Sequence, residues 1–175
     1  MAKKIQTKAP PKKAVKAISK KKKPVSTKVK KSFPGTLQAS TSNIKTHILR
    51  CWPGEDLYEA LNTYMRAHSI KAAWIVSCVG SLTHANIRFA EVPEAKLLKG
   101  HFEIISLVGC LSGHKGSHVH ICISDGKGTC IGGHLKEGNK VHTTAEIVIQ
   151  EASDLEFVRV KDGATRYPEL RIVKK

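Results

Sequence analysis

The chain has 175 residues, a formal net charge of +16 and 41% hydrophobic residues. Residues 1–40 contain thirteen lysines and no acidic residue, so the rest of the chain, with 17 basic and 14 acidic residues, accounts for only +3. The first segment is too polar to bury a core, which excludes a globular fold there and leaves about 130 residues for one domain. No apolar run reaches the length of a membrane span and no apolar signal-peptide core is found, so we expect no membrane association.

The lysine-rich segment is the first feature along the chain. We expect residues 1–41 to form a disordered arm and linker, because closely spaced like charges repel one another and keep a chain extended. Each lysine that neutralises a phosphate releases a condensed counterion, so the arm should bind nucleic acid strongly at low salt and without regard to sequence. The candidate nucleic-acid-binding residues are Lys12, Lys13, Lys20, Lys21, Lys22, Lys23, Lys28, Lys30 and Lys31.

A run of four lysines within the arm bears on localisation. Lys20–Lys23 precede Pro24 and are similar to a nuclear localisation signal, which predicts importin as a partner and the nucleus as the destination. The arm is also similar to the extensions of ribosomal proteins, so RNA and a cytoplasmic, ribosomal location are the alternative. A mitochondrial presequence is a further alternative, although such segments favour arginine and this arm has none.

The predicted elements follow in one domain over residues 42–165, with a C-terminal tail over residues 166–175. Thr46–Trp52 is predicted to be a strand. A helix should begin after Pro53–Asp56, because acidic residues favour the first turn, and its apolar residues recur at helical spacing until about His68. Ala72–Gly80 reads as a buried strand. Further strands are predicted over Ala85–Ala90, Phe102–Leu111, His118–Ser124, Thr129–Leu135, Thr143–Gln150 and Leu155–Val160.

These elements predict an α+β fold. Short turns such as Asp125–Gly128 join neighbouring strands as hairpins, so the sheet should be largely antiparallel, with the helix on one face. One helix cannot cover so many strands on both faces, so the other face should be covered by curling of the sheet or by a neighbouring subunit. Trp52 and Trp74 are expected in the core.

Three histidines are the residues best suited to carry chemistry. His118 and His120 are two apart on a predicted strand, so both side chains point to the same face. If residues 125–127 form a three-residue loop, His134 lies directly opposite His118 and the three imidazoles converge. Such a set binds zinc or another divalent transition metal with a coordination position left open. The alternative is that these histidines only satisfy local hydrogen bonds.

Two carboxylates could support such a site. Glu103 and Glu146 lie in apolar strands and are candidates for orienting the imidazoles, and surface exposure or a salt bridge is the alternative for each.

An ordered series of motifs resembles the PPC domain, a name that stands for plants and prokaryotes conserved. The resemblance extends from about Ile44 to Val160. It implies a curved antiparallel sheet with a flanking helix, assembly as a homotrimer, and a metal held by residues matching His118, His120 and His134, as in prokaryotic members. The motifs are Gly54–Asp56, Trp74–Val76, Gly80–Leu82, Gly100–Gly109, His118–His120, Asp125–Gly126, Ile131–Leu135 and Thr144–Glu146.

In plants this domain follows AT-hook motifs in nuclear proteins that bind A·T-rich DNA, and this sequence departs from them at two points. His101 replaces the arginine of a Gly-Arg-Phe-Glu-Ile-Leu segment that contacts transcription factors. No Arg-Gly-Arg core is present to enter a narrow minor groove, so a preference for A·T-rich DNA is not expected.

The sequence therefore predicts a nucleic-acid-associated protein, with DNA in the nucleus as the first choice and RNA as the alternative. The lysine arm would be a tether, and the trimeric domain would make protein or ligand contacts. A metal-dependent enzyme acting on a small oxygenated substrate at the three histidines is the other alternative, but no general base can be placed beside them. A purely structural metal would need only the same histidines. We therefore favour a binding role over catalysis.

Overall fold

A computed structural model describes residues 39–113, 116–161, 163 and 165–175 of the chain. These residues form one helix and eight strands, which agrees with the predicted α+β class. Residues 1–38 of the predicted arm, including all nine candidate lysines, lie outside the described residues. The elements are β1 Ile44–Cys51, α1 Leu57–Ala67, β2 Ala72–Arg88, β3 Lys96–Ser112, β4 His118–Ser124, β5 Cys130–Leu135, β6 Val141–Ala152, β7 Leu155–Val160 and β8 Glu169–Lys174.

Strand pairing is antiparallel throughout. The main sheet has the order β1-β6-β2-β3-β4-β5, and β7 and β8 form a second, two-stranded sheet. An additional pairing joins the end of β2 to β5, with Ile87 opposite Leu135 and Arg88 opposite His134. Because β5 thus pairs with both β4 and β2, strands β2 to β5 curl around a common interior.

Helix α1 begins after Asp56, whose Oδ1 accepts hydrogen bonds from the backbone N–H groups of Tyr58 and Glu59. This is the usual N-cap arrangement, and it satisfies donors that have no partner within the helix. Leu57, Leu61 and Met65 recur every four residues and are fully buried against the sheet. The helix therefore covers one face of the sheet, as predicted.

The core residues of β4 determine where its polar residues point. Val119, Ile121 and Ile123 are buried, so the alternating residues His118 and His120 project from the opposite face. The candidate site thus lies outside the core. Because Val119, Ile121 and Ile123 must face the core, the two histidines must face away from it.

Several predicted boundaries differ in the structure. β2 runs unbroken through residues 81–84, where two strands were predicted, because the chain passes Leu82 and His84 with a bulge against β3 and does not turn. Residues 169–174, assigned above to a tail, form β8 and pair with β7 from Leu155–Lys174 to Val160–Glu169. That pairing joins segments separated by a loop, which local patterns do not reveal.

The two tryptophans were expected in the core, and this is wrong for Trp52. Its side chain is 58% exposed at the end of the edge strand β1, where the Arg50 guanidinium lies 4.2 Å from the ring centroid. Trp74 is partly buried against a smaller apolar cluster that includes Ala152, Leu155 and Phe157.

The outer face of the sheet exposes large apolar side chains on β1, β2 and β3. Ile48 is 81% exposed, and Val76, Val79, Ile105 and Val108 are each at least half exposed. Among the described residues, no helix is both long and apolar enough to cross a lipid bilayer.

Gly109 allows β4 to approach β3. It lies opposite Val119 with φ of +153°, and a Cβ there would overlap the His118 carbonyl oxygen. We expect Gly109→Ala to lower the free energy of unfolding by about 2–4 kcal/mol, because β4 would have to move and the new side chain would be strained. Urea denaturation measures this change. Gly126→Ala, in a turn where a Cβ meets nothing within 4 Å, is the control and should change stability by less than about 0.5 kcal/mol. Equal stability of the two variants would contradict the prediction.

Candidate metal centre

The hairpin of β4 and β5 brings the three predicted histidines together. Its register places His134 opposite His120, whereas the sequence analysis placed it opposite His118. The connection is longer than predicted because Asp125 closes a five-residue turn: its Oδ1 accepts hydrogen bonds from the N–H groups of Lys127 and Thr129, each at 2.9 Å. The resulting shift is two residues, so every side chain keeps its face of the sheet and the convergence of the histidines survives.

The geometry of the cluster suits a single metal ion. His118 Nε2 lies 3.0 Å from His120 Nε2, and one ring nitrogen from each of the three histidines lies within 4.8 Å of the others. In a tetrahedral zinc site with zinc–nitrogen distances of about 2.0–2.1 Å, ligand nitrogens are about 3.3–3.4 Å apart. The 3.0 Å pair lies close to that spacing, and no pair of these nitrogens exceeds it by more than about 1.5 Å.

The electrostatic surroundings favour neutral imidazoles. Burial, followed by the charges of His118 and Lys136, lowers the pKa of His134 from 6.5 to about 4. Burial and the nearby Arg159 guanidinium also lower the pKa of His118. Both rings are therefore unprotonated at neutral pH and offer a lone pair. His134 Nδ1 is buried without a hydrogen-bond partner in the described part of the chain, which is what a ligand nitrogen would show.

A cavity of about 740 Å³ opens beside the cluster. Sequence reasoning did not find its charged residues, because they come from four separate segments and no linear motif joins them. Glu169 was the most difficult of them to predict, because the strand that contains it was assigned to a C-terminal tail. The residues that line the cavity are Tyr58, Arg88, Pro93, Gly116, Ser117, His118, His134, Lys136, Arg159, Tyr167, Pro168 and Glu169.

The two candidate supporting carboxylates lie elsewhere. Glu103 is exposed on β3 and lies opposite Ser81 of β2 and Ser124 of β4. Ser124 is four residues from His120 along β4. Glu146 is exposed on β6, between Arg50 of β1 and Val79 of β2. Neither makes a hydrogen bond to a cluster histidine among the described residues.

Most of the chain matches a known protein family. Residues 38–153 match the model of the Plants and Prokaryotes Conserved (PCC) domain, also written PPC. The chain belongs to the PCC domain family. The resemblance seen in its motifs is thereby confirmed.

Solved structures share this PCC fold. A hypothetical protein from Salmonella is 36% identical, with a TM-score of 0.76, over 79% of this chain and 99% of that one. A metal-containing protein from Archaeoglobus fulgidus is 25% identical, with a TM-score of 0.66, over 77% of this chain and 99% of that one. A protein from Bacteroides thetaiotaomicron, whose name suggests DNA binding, is 18% identical with a TM-score of 0.64, over 75% and 98% of the two chains, and shows the fold alone.

Among curated proteins, the bifunctional protein GlmU of Synechococcus sp. (strain JA-3-3Ab) is 39% identical over 134 residues. The match covers 77% of this chain and 21% of that protein. The chain therefore spans about a fifth of the length of the curated relative.

The lowered pKa of His134 predicts a pH-dependent stability in the metal-free protein. Since the folded pKa lies below the unfolded value of 6.5, the unfolded chain takes up a proton first as the pH falls. The stability associated with neutral His134 is complete above about pH 6.5 and is lost as the pH falls toward about 4.

We therefore expect chelator-treated His134→Asn to lose less stability than the unsubstituted protein between about pH 7.5 and pH 4.5. Urea denaturation at the two pH values measures this difference. Gly126→Ala, which removes no titratable group and fills open space, should lose as much stability as the unsubstituted protein. An equal loss in His134→Asn and in the unsubstituted protein would contradict the assignment.

Proposed function

We propose that the protein is a nucleic-acid-associated factor in which the lysine arm is a sequence-independent tether and the PCC domain makes protein or ligand contacts. The observation that carries this proposal is the segregation of charge. Residues 1–40 hold +13 of the net +16, although they are fewer than a quarter of the chain. Lysines without arginine or acidic residues suit phosphate contact by counterion release and lack the arginine core that would read a narrow minor groove. DNA is the first choice of ligand, and structured RNA is the alternative.

Assembly would strengthen this attachment. The exposed apolar residues of the outer sheet face support the homotrimer that the family resemblance implies, because a water-soluble chain seldom leaves such a surface uncovered. A trimer would present three arms, so that weak individual contacts reinforce one another through a high effective concentration.

The nuclear destination is part of the same proposal. Lys20–Lys23 would be recognised by importin as spaced lysine side chains on an extended backbone. Cytoplasmic association with ribosomes would use the same arm without that step.

Removal of the arm tests the tether. A chain that begins at Ser42 should bind duplex DNA and structured RNA at least about tenfold more weakly at low salt than the full chain. The slope of log affinity against log salt concentration should also be shallower, because each lost phosphate contact removes about 0.9 from it on duplex DNA. Fluorescence anisotropy across a salt series measures both quantities.

A full chain in which Lys20–Lys23 are replaced by glutamine is the matched variant and should show an intermediate slope. Comparison of the two nucleic acids separates the DNA and RNA alternatives. If truncation leaves the affinity and the slope unchanged, the tether is wrong.

Metal binding at the PCC domain is the second candidate function, and the convergence of His118, His120 and His134 favours it. These three residues would hold zinc or another divalent transition metal through neutral imidazoles. The metal-containing Archaeoglobus relative supports the assignment. When bound, such an ion supplies Lewis acidity toward an oxygen atom. Glu169 supplies a carboxylate in the same cavity, where the sequence analysis placed none.

Replacement of one ligand tests the centre. We expect the protein loaded with zinc or cobalt to hold about one ion per chain, and His120→Ala to lose most of it because two imidazoles bind far more weakly than three. Elemental analysis after dialysis measures the content, and the visible spectrum of the cobalt form reports the coordination. His101→Ala is the control and should retain the metal. A protein that binds no ion when zinc is supplied would refute this second function.

A further inference from the structure

The cavity beside the histidines carries an excess of positive charge. Arg88, Lys136 and Arg159 line it, and Glu169 is its single carboxylate among the described residues. Three cations against one anion leave a lining charge of +2 when the histidines are neutral. A metal ion at the cluster would increase it further.

The fold places these cations on the same side as the histidines. Arg88 lies directly opposite His134 where β2 pairs with β5, so the two side chains leave the sheet on one face. Lys136 follows β5, two residues after His134. Arg159 on β7 is anchored by its Nε, which donates a hydrogen bond to the Gly116 carbonyl at 3.0 Å. Arg88 and Arg159 are partly buried, and Lys136 lies at the exposed rim.

The cations lack acidic partners within the part of the chain that the structure describes. No salt bridge involves Arg88, Lys136 or Arg159, and the Arg88 side chain makes no hydrogen bond there. Glu169 accepts a hydrogen bond from Thr165 Oγ1 at 2.7 Å and forms no salt bridge with any of the three cations. Partly buried charge that no protein group compensates is costly, and an anionic ligand would offset that cost.

The remaining wall is apolar, which bears on the size and nature of the anion. Tyr58, Tyr167, Pro93 and Pro168 line the same cavity. A volume of about 740 Å³ lies within the range of small-molecule sites. Bare phosphate would leave these rings without a partner, and a nucleic-acid duplex would not enter a recess of this size. A carbon skeleton with a charged end fits both parts of the wall.

We propose that this cavity binds a small organic carboxylate, whose charged group contacts Arg88, Lys136 and Arg159 while a neighbouring oxygen reaches the metal on the three histidines. Arginine presents paired donors that match the two carboxylate oxygens. The contact with the metal rests on the metal-binding function proposed above, whereas the contact with the cations does not.

Calorimetric titration of the full chain tests the proposal, with glycolate, the neutral glycolamide and inorganic phosphate as probes in about 0.15 M salt. Each probe is titrated into the zinc-loaded and the chelator-treated protein. Arg88→Gln and Lys136→Gln are the test variants. Lys99→Gln, on β3 away from the cavity, is the matched control for loss of one positive charge. Zinc content and thermal unfolding are measured for every variant.

We expect glycolate to bind at least about tenfold more tightly than glycolamide. Arg88→Gln should weaken glycolate binding about ten- to a hundredfold, as expected for a lost charge-assisted hydrogen bond, and should keep its zinc. Lys136→Gln should weaken binding about two- to tenfold, because that lysine is exposed. Lys99→Gln should bind as the unsubstituted chain does. Removal of zinc should weaken but not abolish glycolate binding.

Three results would overturn the proposal: equal affinity for glycolate and glycolamide, phosphate binding as tight as that of glycolate, or glycolate binding unchanged in both test variants. Should Arg88→Gln fail to fold, Lys136→Gln still decides, because its exposed side chain has no structural partner among the described residues. Glycolate binding that depends on Arg88 in a protein that takes up no zinc would refute the metal centre alone and leave the anion site standing.

Discussion

The pairing of β2 with β5 is the constraint on which the rest of the site depends. Only two residue pairs form it, Ile87 with Leu135 and Arg88 with His134, yet both Ile87 and Leu135 are fully buried. Burial of these two side chains holds the end of β2 against the hairpin of β4 and β5. The alternating residues on the other face, Arg88 and His134, are then brought side by side outside the core. The position of Arg88 beside the histidine cluster is thus a consequence of one hydrophobic contact.

The molecule uses positive charge in two physically different ways. The lysines of the arm are closely spaced in a segment without acidic residues, which suits many weak, interchangeable contacts with phosphates that salt screens. Arg88 and Arg159 are instead partly buried, in a wall that also contains aromatic rings and histidines. Charges in such surroundings are screened less and act on a ligand at defined positions. The PCC domain could therefore discriminate among ligands even though its net charge is small.

Local patterns were sufficient for most of the fold. The acidic N-terminus and regular apolar spacing of α1 identified the helix, and alternating or continuous apolar runs located the strands around the core. The errors arose where a long-range contact overrides a local signal. β2 continues through a bulge because β3 pairs with it on both sides of that bulge, at Leu82 and at His84. Glu169–Lys174 becomes β8 because β7 lies beside it, and Trp52 stays outside because it follows the end of the edge strand β1.

The sequence by itself determined the charge of the arm, the family of the domain and the face on which His118, His120 and His134 lie. That face follows from the two-residue period of a strand, which a register error of two residues leaves unchanged. Only the tertiary structure decided which histidines are opposite each other and which charged residues surround them. Arg88, Lys136, Arg159 and Glu169 come from β2, the end of β5, β7 and β8. Their convergence depends on how the sheet closes and how β7 and β8 lie against it, which is a property of packing and not of any local pattern.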